Sequence, residues 1–299
     1  MQASDFLSRC VLGTTGLGGV WGKIDATESM KAILMALAKG ITCIDTAPAY
    51  GDAESFIGIA LNQWKGQKPL ISTKVGRLKT YSATEGIYDY SNDGLEKSFE
   101  NSLKALGVSD IDILFLHEPD AIIEKNAESI LEKLVEFKER GYTNKIGLGG
   151  NTPDWFKKYI TSDVFDVVME YNRLNVCCTD ALYSSLPDYN SKGINFYVAS
   201  PLYMGLLGNR FEEYTASPPG WLKKNSIERA KQVKLIADKY QMPLSSLAHR
   251  FLLSLPENFK IVIGPKNSHQ LQQTIIDFSE GPLPENIMEE IKDMKNYVD

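Results

Sequence analysis

The sequence predicts an α/β protein, a single-domain (β/α)8 barrel of parallel strands spanning residues 1–299. Three observations carry this expectation. Eight short runs rich in β-branched or aromatic residues recur along the 299 residues, each bounded by Gly, Pro, Asp or Asn. Longer stretches with helical apolar spacing lie between many of them. No shift in composition marks a domain boundary, and no sequence-level repeat is present. Alternating strand and helix favours a parallel sheet with helices packed on it. A doubly wound open sheet is the competing arrangement, but no Gly-x-Gly-x-x-Gly run follows a strand.

In chain order the predicted strands are Arg9–Gly13, Thr42–Thr46, Leu70–Val75, Ile111–Leu116, Lys145–Gly149, Asp166–Tyr171, Ile194–Ala199 and Ile261–Gly264. The first is followed by the glycine-rich run Gly13 to Gly19, read as a flexible loop. Thr27–Lys39 places Met30, Ile33, Leu34, Leu37 and Ala38 on one helical face, with Gly40 as its C-terminal cap. Leu95–Leu106 before Gly107 and Ala127–Lys138 before Gly141 read the same way. Ile227–Tyr240 and Leu244–Leu253 are two further helices, and a terminal helix over about residues 284–299 carries Ile287, Met288, Ile291, Met294 and Val298. Two long loops, Gly76–Asn92 and Pro201–Lys224, follow the third and seventh strands. In a barrel both lie on the C-terminal face, where active sites are built.

Composition excludes several classes. With 43% hydrophobic and 23% charged residues the chain can bury a large core. A net charge of −6 argues against a nucleic-acid partner. No apolar run approaches the roughly 18 residues of a membrane span, and the polar start Met1-Gln2-Ala3-Ser4-Asp5 lacks a basic-then-apolar leader. A cytoplasmic location is the resulting expectation. The four cysteines are too few for a disulfide framework, and with His117, His249 and His269 far apart no metal site is expected.

Chemistry concentrates where the early strands end. The second runs into Asp45-Thr46-Ala47-Pro48-Ala49-Tyr50-Gly51, the third into Ser72-Thr73-Lys74, and the fourth into Leu116-His117-Glu118-Pro119-Asp120. In a barrel Asp45, Tyr50, Lys74 and His117 share one mouth. A lysine buried in a strand needs a counter-charge, and Asp45 is the natural one. A phenol has an ordinary pKa of about 10. A neighbouring ammonium lowers it and makes proton exchange at Tyr50 easier. His117 would hydrogen-bond a substrate oxygen. The set suits proton transfer at an oxygen while a hydride moves at the attached carbon.

These residues resemble the aldo-keto reductase family. Asp45-Thr46-Ala47-Pro48-Ala49-Tyr50-Gly51 is similar to its Asp-Thr-Ala-x-x-Tyr-Gly signature, and Ser72-Thr73-Lys74 and Leu116-His117 match its lysine and histidine motifs in order. The similarity runs from about Val11 to Thr274. It implies a TIM-type barrel that binds a nicotinamide cofactor without a Rossmann domain, with Tyr50 as proton donor, Lys74 and Asp45 tuning it, and His117 orienting the carbonyl. Lys74-Val75-Gly76-Arg77, Tyr88-Asp89-Tyr90-Ser91 and Leu116-His117-Glu118-Pro119-Asp120 look like a branch of aldose 1-dehydrogenases. Its members oxidise L-fucose, L-galactose or D-threo sugars to lactones, and it also contains a pyridoxal dehydrogenase. The resemblance thus implies a small polar carbonyl or sugar substrate. Reduction of other small aldehydes and ketones is the alternative, and a nucleotide-sensing barrel without turnover is a further one.

The same resemblance assigns cofactor contacts. Asn151 would hold the nicotinamide carboxamide, although Gly150 lacks the expected hydroxyl and no glutamine stands on the sixth strand. Ser200, Pro201, Leu202, Gly205, Leu207 and Arg210 would form the pyrophosphate loop, with Ala199 where a stacking aromatic is usual. Gly264, Lys266, Asn267 and Gln273 would form the adenosine site, where Gln273-Thr274 replaces the usual Glu-Asn. Lys266 complements a 2′-phosphate, which favours NADP slightly over NAD. Trp21 is the aromatic best placed to wall a sugar face, ahead of Tyr90, Tyr203 and Trp221. Glu118 is a candidate acceptor for a substrate hydroxyl.

Overall fold

A computed structural model describes residues 6–294. Its eight strands are β1 (Cys10–Gly13), β2 (Cys43–Asp45), β3 (Leu70–Val75), β4 (Ile111–His117), β5 (Thr143–Gly149), β6 (Val167–Tyr171), β7 (Asn195–Ala199) and β8 (Lys260–Ile263). Every pairing is parallel, and β8 returns to β1 to close the barrel. Each predicted strand is present, with ends shifted by at most about two residues.

The helices are α1 (Ala26–Ala38), α2 (Ala53–Gln63), α3 (Asn92–Leu106), α4 (Ala127–Glu139), α5 (Asp180–Tyr183), α6 (Ser185–Ser191), α7 (Phe211–Ala216), α8 (Lys224–Lys239), α9 (Leu244–Leu253), α10 (Ser268–Ser279) and α11 (Glu285–Asp293). The Asp25 carboxylate starts α1 by accepting from the Thr27 amide at 2.8 Å. The Gly40 amide donates to Leu37 just past its end, as the sequence predicts. Of the predicted terminal helix, Glu285–Asp293 is helical and buries Ile287 and Ile291. Lys239 and Tyr240 of the α8 end both bond Glu290, so this helix docks on the barrel. Residues 295–299 of that prediction lie outside the described residues.

Two apolar layers result from strand alternation. Side chains pointing inward, among them Val11, Cys43, Ile113, Phe115, Met169, Tyr197 and Val262, fill the barrel. Those pointing outward, such as Leu12, Ile44, Ile71, Leu114, Val168 and Ile261, pack under the helices. The same alternation turns Asp45, Ser72 and Lys74 inward, at the C-terminal end of the barrel.

Two loop expectations are corrected. The glycine-rich run after β1, read as a loop, contains a turn and is docked by main-chain contacts. Thr15–Leu17 forms a 3₁₀ turn, and the Gly18 carbonyl accepts from the Asp52 amide at 2.9 Å. A Cβ on Gly18 would stand 1.6 Å from the Tyr50 carbonyl oxygen, and one on Gly51 would stand 2.2 Å from that of Gly18. Only two glycines allow these backbones to touch. The loop after β7 is likewise folded, with a 3₁₀ turn at Tyr203–Gly205 followed by α7. Ser200, Tyr203 and Met204 in it have positive φ.

Candidate active site

Lys74 is almost fully buried, and its ammonium has three close acceptors. Nζ donates to Asp45 Oδ1 at 2.6 Å, Asp45 Oδ2 at 2.7 Å and the Thr46 carbonyl at 2.8 Å. Ser72 Oγ donates to Asp45 Oδ1 at 2.8 Å. Burial alone would push the lysine pKa down. Asp45 and Tyr50 outweigh that and raise it, so the cation persists. The strand-end pairing expected from the sequence is therefore present.

Above it lies Tyr50, carried on a 3₁₀ turn, Pro48–Tyr50, just after β2. Lys74 Nζ sits 5.0 Å from the centre of its ring. The His117 ring meets Tyr50 edge-on at 5.9 Å and 89°. Asp45, Tyr50, Lys74 and His117 thus share one mouth.

One expectation about Tyr50 needs correction. Lys74 does pull the phenol down, and hydrogen bonds from Thr15 and Lys74 act in the same sense. The loss of water around the phenol oxygen is larger and leaves its pKa raised. Tyr50 therefore holds its proton at neutral pH. Burial, then the Lys74 and Arg77 cations, push His117 well below its ordinary value. It is a neutral imidazole, able to donate from one nitrogen only. Thr15 is a member of this group that sequence reasoning missed, because its reach to Tyr50 depends on the docking of the glycine-rich run.

Glu118, expected to face substrate, is engaged elsewhere. Arg77 Nη1 donates to its Oε1 at 2.7 Å, and the Tyr88 hydroxyl donates to its Oε2. Arg77 Nη2 also donates to the carbonyls of Ala83 and Glu85. These bonds tie the loop after β3 to the segment just past β4. Tyr90 donates to the carbonyls of His117 and Glu118 at 2.7 and 2.9 Å, so it buttresses the histidine. Tyr203 and Trp221 pack on each other, ring centres 6.2 Å apart. Trp21, expected as a wall for a sugar ring, lines a cavity together with Lys266 and Asn267.

The remaining predicted contacts fall as follows. Asn151 lies just past β5, and its buried Oδ1 has no hydrogen-bond partner among the described residues. Asn172, just past β6 with φ +59°, presents a second such buried Oδ1. The sequence singled out only Asn151. Buried amide oxygens without partners are costly, and a carboxamide NH2 is a donor that would satisfy them. The residues therefore fit a nicotinamide. Gly150 has φ +136°, and a Cβ built there would stand 3.0 Å from Pro119, so the serine expected at this position would be strained. Pro201 follows Ser200, whose Oγ donates to Met204 Sδ at 3.4 Å. Leu202 accepts at its carbonyl from the amides of Gly205 and Leu207 at 2.9 and 3.1 Å. Arg210 makes a two-pronged ion pair with Glu213. Gly264 follows β8, Asn267 caps α10 through the Gln270 amide, and Gln273 donates to Asp277, which holds the buried His249.

Among the described residues no group of three or more His, Cys, Asp or Glu side chains is arranged to hold a metal ion, and no helix is long and apolar enough to cross a membrane.

Known proteins resemble the chain in sequence and in fold. The chain is 24% identical to a pyridoxal 4-dehydrogenase of Microbacterium luteolum, over 90% of this chain and 89% of that protein. It is 28% identical to an L-galactose dehydrogenase of Arabidopsis thaliana, over 90% and 83%. The structure superposes on a glycerol dehydrogenase of Gluconobacter oxydans with a TM-score of 0.78 at 22% identity, covering 97% of this chain and 94% of that one. The model of the Aldo/keto reductase family matches residues 9–296, so the chain belongs to this family of oxidoreductases.

Proposed function

We propose that the chain oxidises C1 of a free aldose to a lactone, with Tyr50 exchanging the proton and a nicotinamide dinucleotide as cofactor. The observation that carries this reading is the buried Lys74–Asp45 pair beneath Tyr50, with a neutral His117 edge-on to the phenol. When bound, a nicotinamide would supply the hydride chemistry at C1, in either direction. Asn151 and Asn172 would hold its carboxamide. Ser200, Pro201, Leu202, Gly205, Leu207 and Arg210 would flank the pyrophosphate, and Gly264, Lys266, Asn267 and Gln273 the adenosine.

In oxidation Tyr50 takes the proton of the C1 hydroxyl as the C–H bond breaks. Lys74 stabilises the charge at the phenol oxygen whenever its proton is absent, and Asp45 keeps that ammonium in place. His117 donates to the substrate oxygen and orients it. A polar substrate is supported by the relatives, whose names state activity on L-galactose and pyridoxal. Reduction of a small aldehyde is a second reading, favoured by the raised Tyr50 pKa, which keeps a proton ready for donation.

The test is spectrophotometric. NAD+ or NADP+ is mixed with L-fucose, L-galactose and D-arabinose, and the reduced-nicotinamide absorbance is followed. One of these sugars should produce reduced cofactor, and Tyr50→Phe should abolish turnover while cofactor affinity is unchanged. Silence on all sugars with turnover of simple aldehydes and NAD(P)H replaces the first reading by the second. Full activity of Tyr50→Phe removes Tyr50 from the chemistry.

A further inference from the structure

A cavity of about 310 Å³ lies between the loops that follow β1 and β8. Trp21, Asp25, Glu28, Lys266 and Asn267 are among its lining residues. Two helix N-termini open onto it. Asp25 caps α1, and Asn267 caps α10, its Oδ1 accepting from the Gln270 amide at 2.9 Å. Glu28 stands in the first turn of α1. Its Oε2 accepts from the hydroxyl of Ser268, the first residue of α10, at 2.7 Å, and its Oε1 accepts from Lys31 at 3.0 Å. One carboxylate thus ties both helix starts together, where unpaired amides and the helix dipoles attract an anion.

We propose that Glu28 is a built-in anion standing where the 2′-phosphate of a dinucleotide would bind, so that the cavity takes an unphosphorylated adenosine ribose and the chain prefers NAD(H) to NADP(H). The proposal rests on the nicotinamide reading above and reverses the preference that Lys266 alone suggests. Lys266 is not a lone cation here. Lys23 and Lys266 are matched by Asp25 and Glu28, so the charged lining carries no net positive charge. A phosphate monoester brings about −1.5 to −2 charges near neutral pH and would meet Glu28 as a like charge. The Lys266 amide, another donor a phosphate would use, is already taken by Gln270 Oε1 at 2.9 Å. A free 2′-hydroxyl donates to a carboxylate and meets no such repulsion. The hydrogen bonds from Ser268 and Lys31 hold Glu28 below its ordinary pKa, so it is charged at neutral pH.

The experiment is binding, read by calorimetry and by quenching of tryptophan fluorescence, with no turnover required. NADH and NADPH are titrated into the full chain and into Glu28→Gln, with 5′-ADP and 2′,5′-ADP as adenosine-end probes. The wild type should bind NADH at least about tenfold more tightly than NADPH, the size expected for one unfavourable charge contact. Glu28→Gln should tighten NADPH and 2′,5′-ADP by about tenfold and change NADH and 5′-ADP little. Glu28→Ser serves the same purpose should the glutamine variant fail to fold. Tighter binding of NADPH by the wild type, or an unchanged ratio in both variants, overturns the role of Glu28 while leaving the cofactor reading intact. Failure of the wild type to bind any of the four nucleotides overturns the cofactor reading itself.

Discussion

Replacing Asp45 by Asn tests the electrostatic centre of the site. Lys74 is 1% exposed and Asp45 2%, so the variant leaves an ammonium in the barrel interior with only neutral acceptors. Breaking one side of a buried pair costs about 3–5 kcal/mol, most of it the stranded charge. Unfolding entropy is about 2.1 cal/mol/K per residue, or roughly 0.6 kcal/mol/K for a chain of this length. The melting temperature should therefore drop by about 5–8 °C at neutral pH. The sign of the pH dependence follows. Without Asp45 the folded lysine pKa falls below the unfolded one, so the unfolded state binds more protons and stability rises with pH. Part of the loss should return in alkaline buffer. Adding Lys74→Met removes the stranded charge, and the double variant should be more stable than the sum of the single losses by at least about 2 kcal/mol. The assay is thermal and denaturant unfolding of the four proteins across pH. A loss below about 1 kcal/mol in Asp45→Asn, or strict additivity, would refute the claim that the pair is held by mutual compensation in a dry interior.

Two further outcomes follow from the same geometry. Gly18→Ala places a Cβ 1.6 Å from the Tyr50 carbonyl oxygen, so the Tyr50 turn must move. A misplacement of about 1 Å costs on the order of 100-fold in rate, and steady-state kinetics should show this in kcat; wild-type turnover would disprove the interlock. Because burial raises the Tyr50 pKa, carbonyl reduction should stay flat from roughly pH 6 to 9, while sugar oxidation climbs through the alkaline range. A reduction rate that bends downward near pH 7 would contradict the assignment of the proton to Tyr50.

Much of this was legible before the structure. Parallel strands are buried on both faces, so runs such as Ile111–Leu116 and Ile194–Ala199 stand out without periodicity. The four site residues were legible because three end successive strands and the fourth follows one of them. Other features were not. Helix α10 carries Leu271, Ile275 and Phe278 on one buried face, but its other positions are largely polar and conceal that spacing. Helix α2 starts three residues beyond Tyr50, at Ala53, and contains Gly58, which reads as a breaker. The roles of Thr15, Asn172 and Glu28 depend on contacts across elements far apart in the chain, and no local pattern encodes them. Glu118 looked free because its partners, Arg77 and Tyr88, sit in a loop whose folding the sequence does not announce.

The contact between Gly18 and the Tyr50 turn consists of main-chain atoms: one carbonyl accepts the Asp52 amide, and two backbones lie too close for any side chain. The backbone that carries the proton-exchanging group is thus indexed to the barrel by main-chain contact with the run after β1. Chemistry and selectivity become separable units of inheritance. Lys79 and Tyr81 of the loop after β3 reach this turn through Asp52, but a rim side chain that touches neither Asp52 nor the glycine contact is free to drift toward new substrates without recalibrating the phenol. Gly18 and Gly51 are the positions at which a single methyl group would end that freedom.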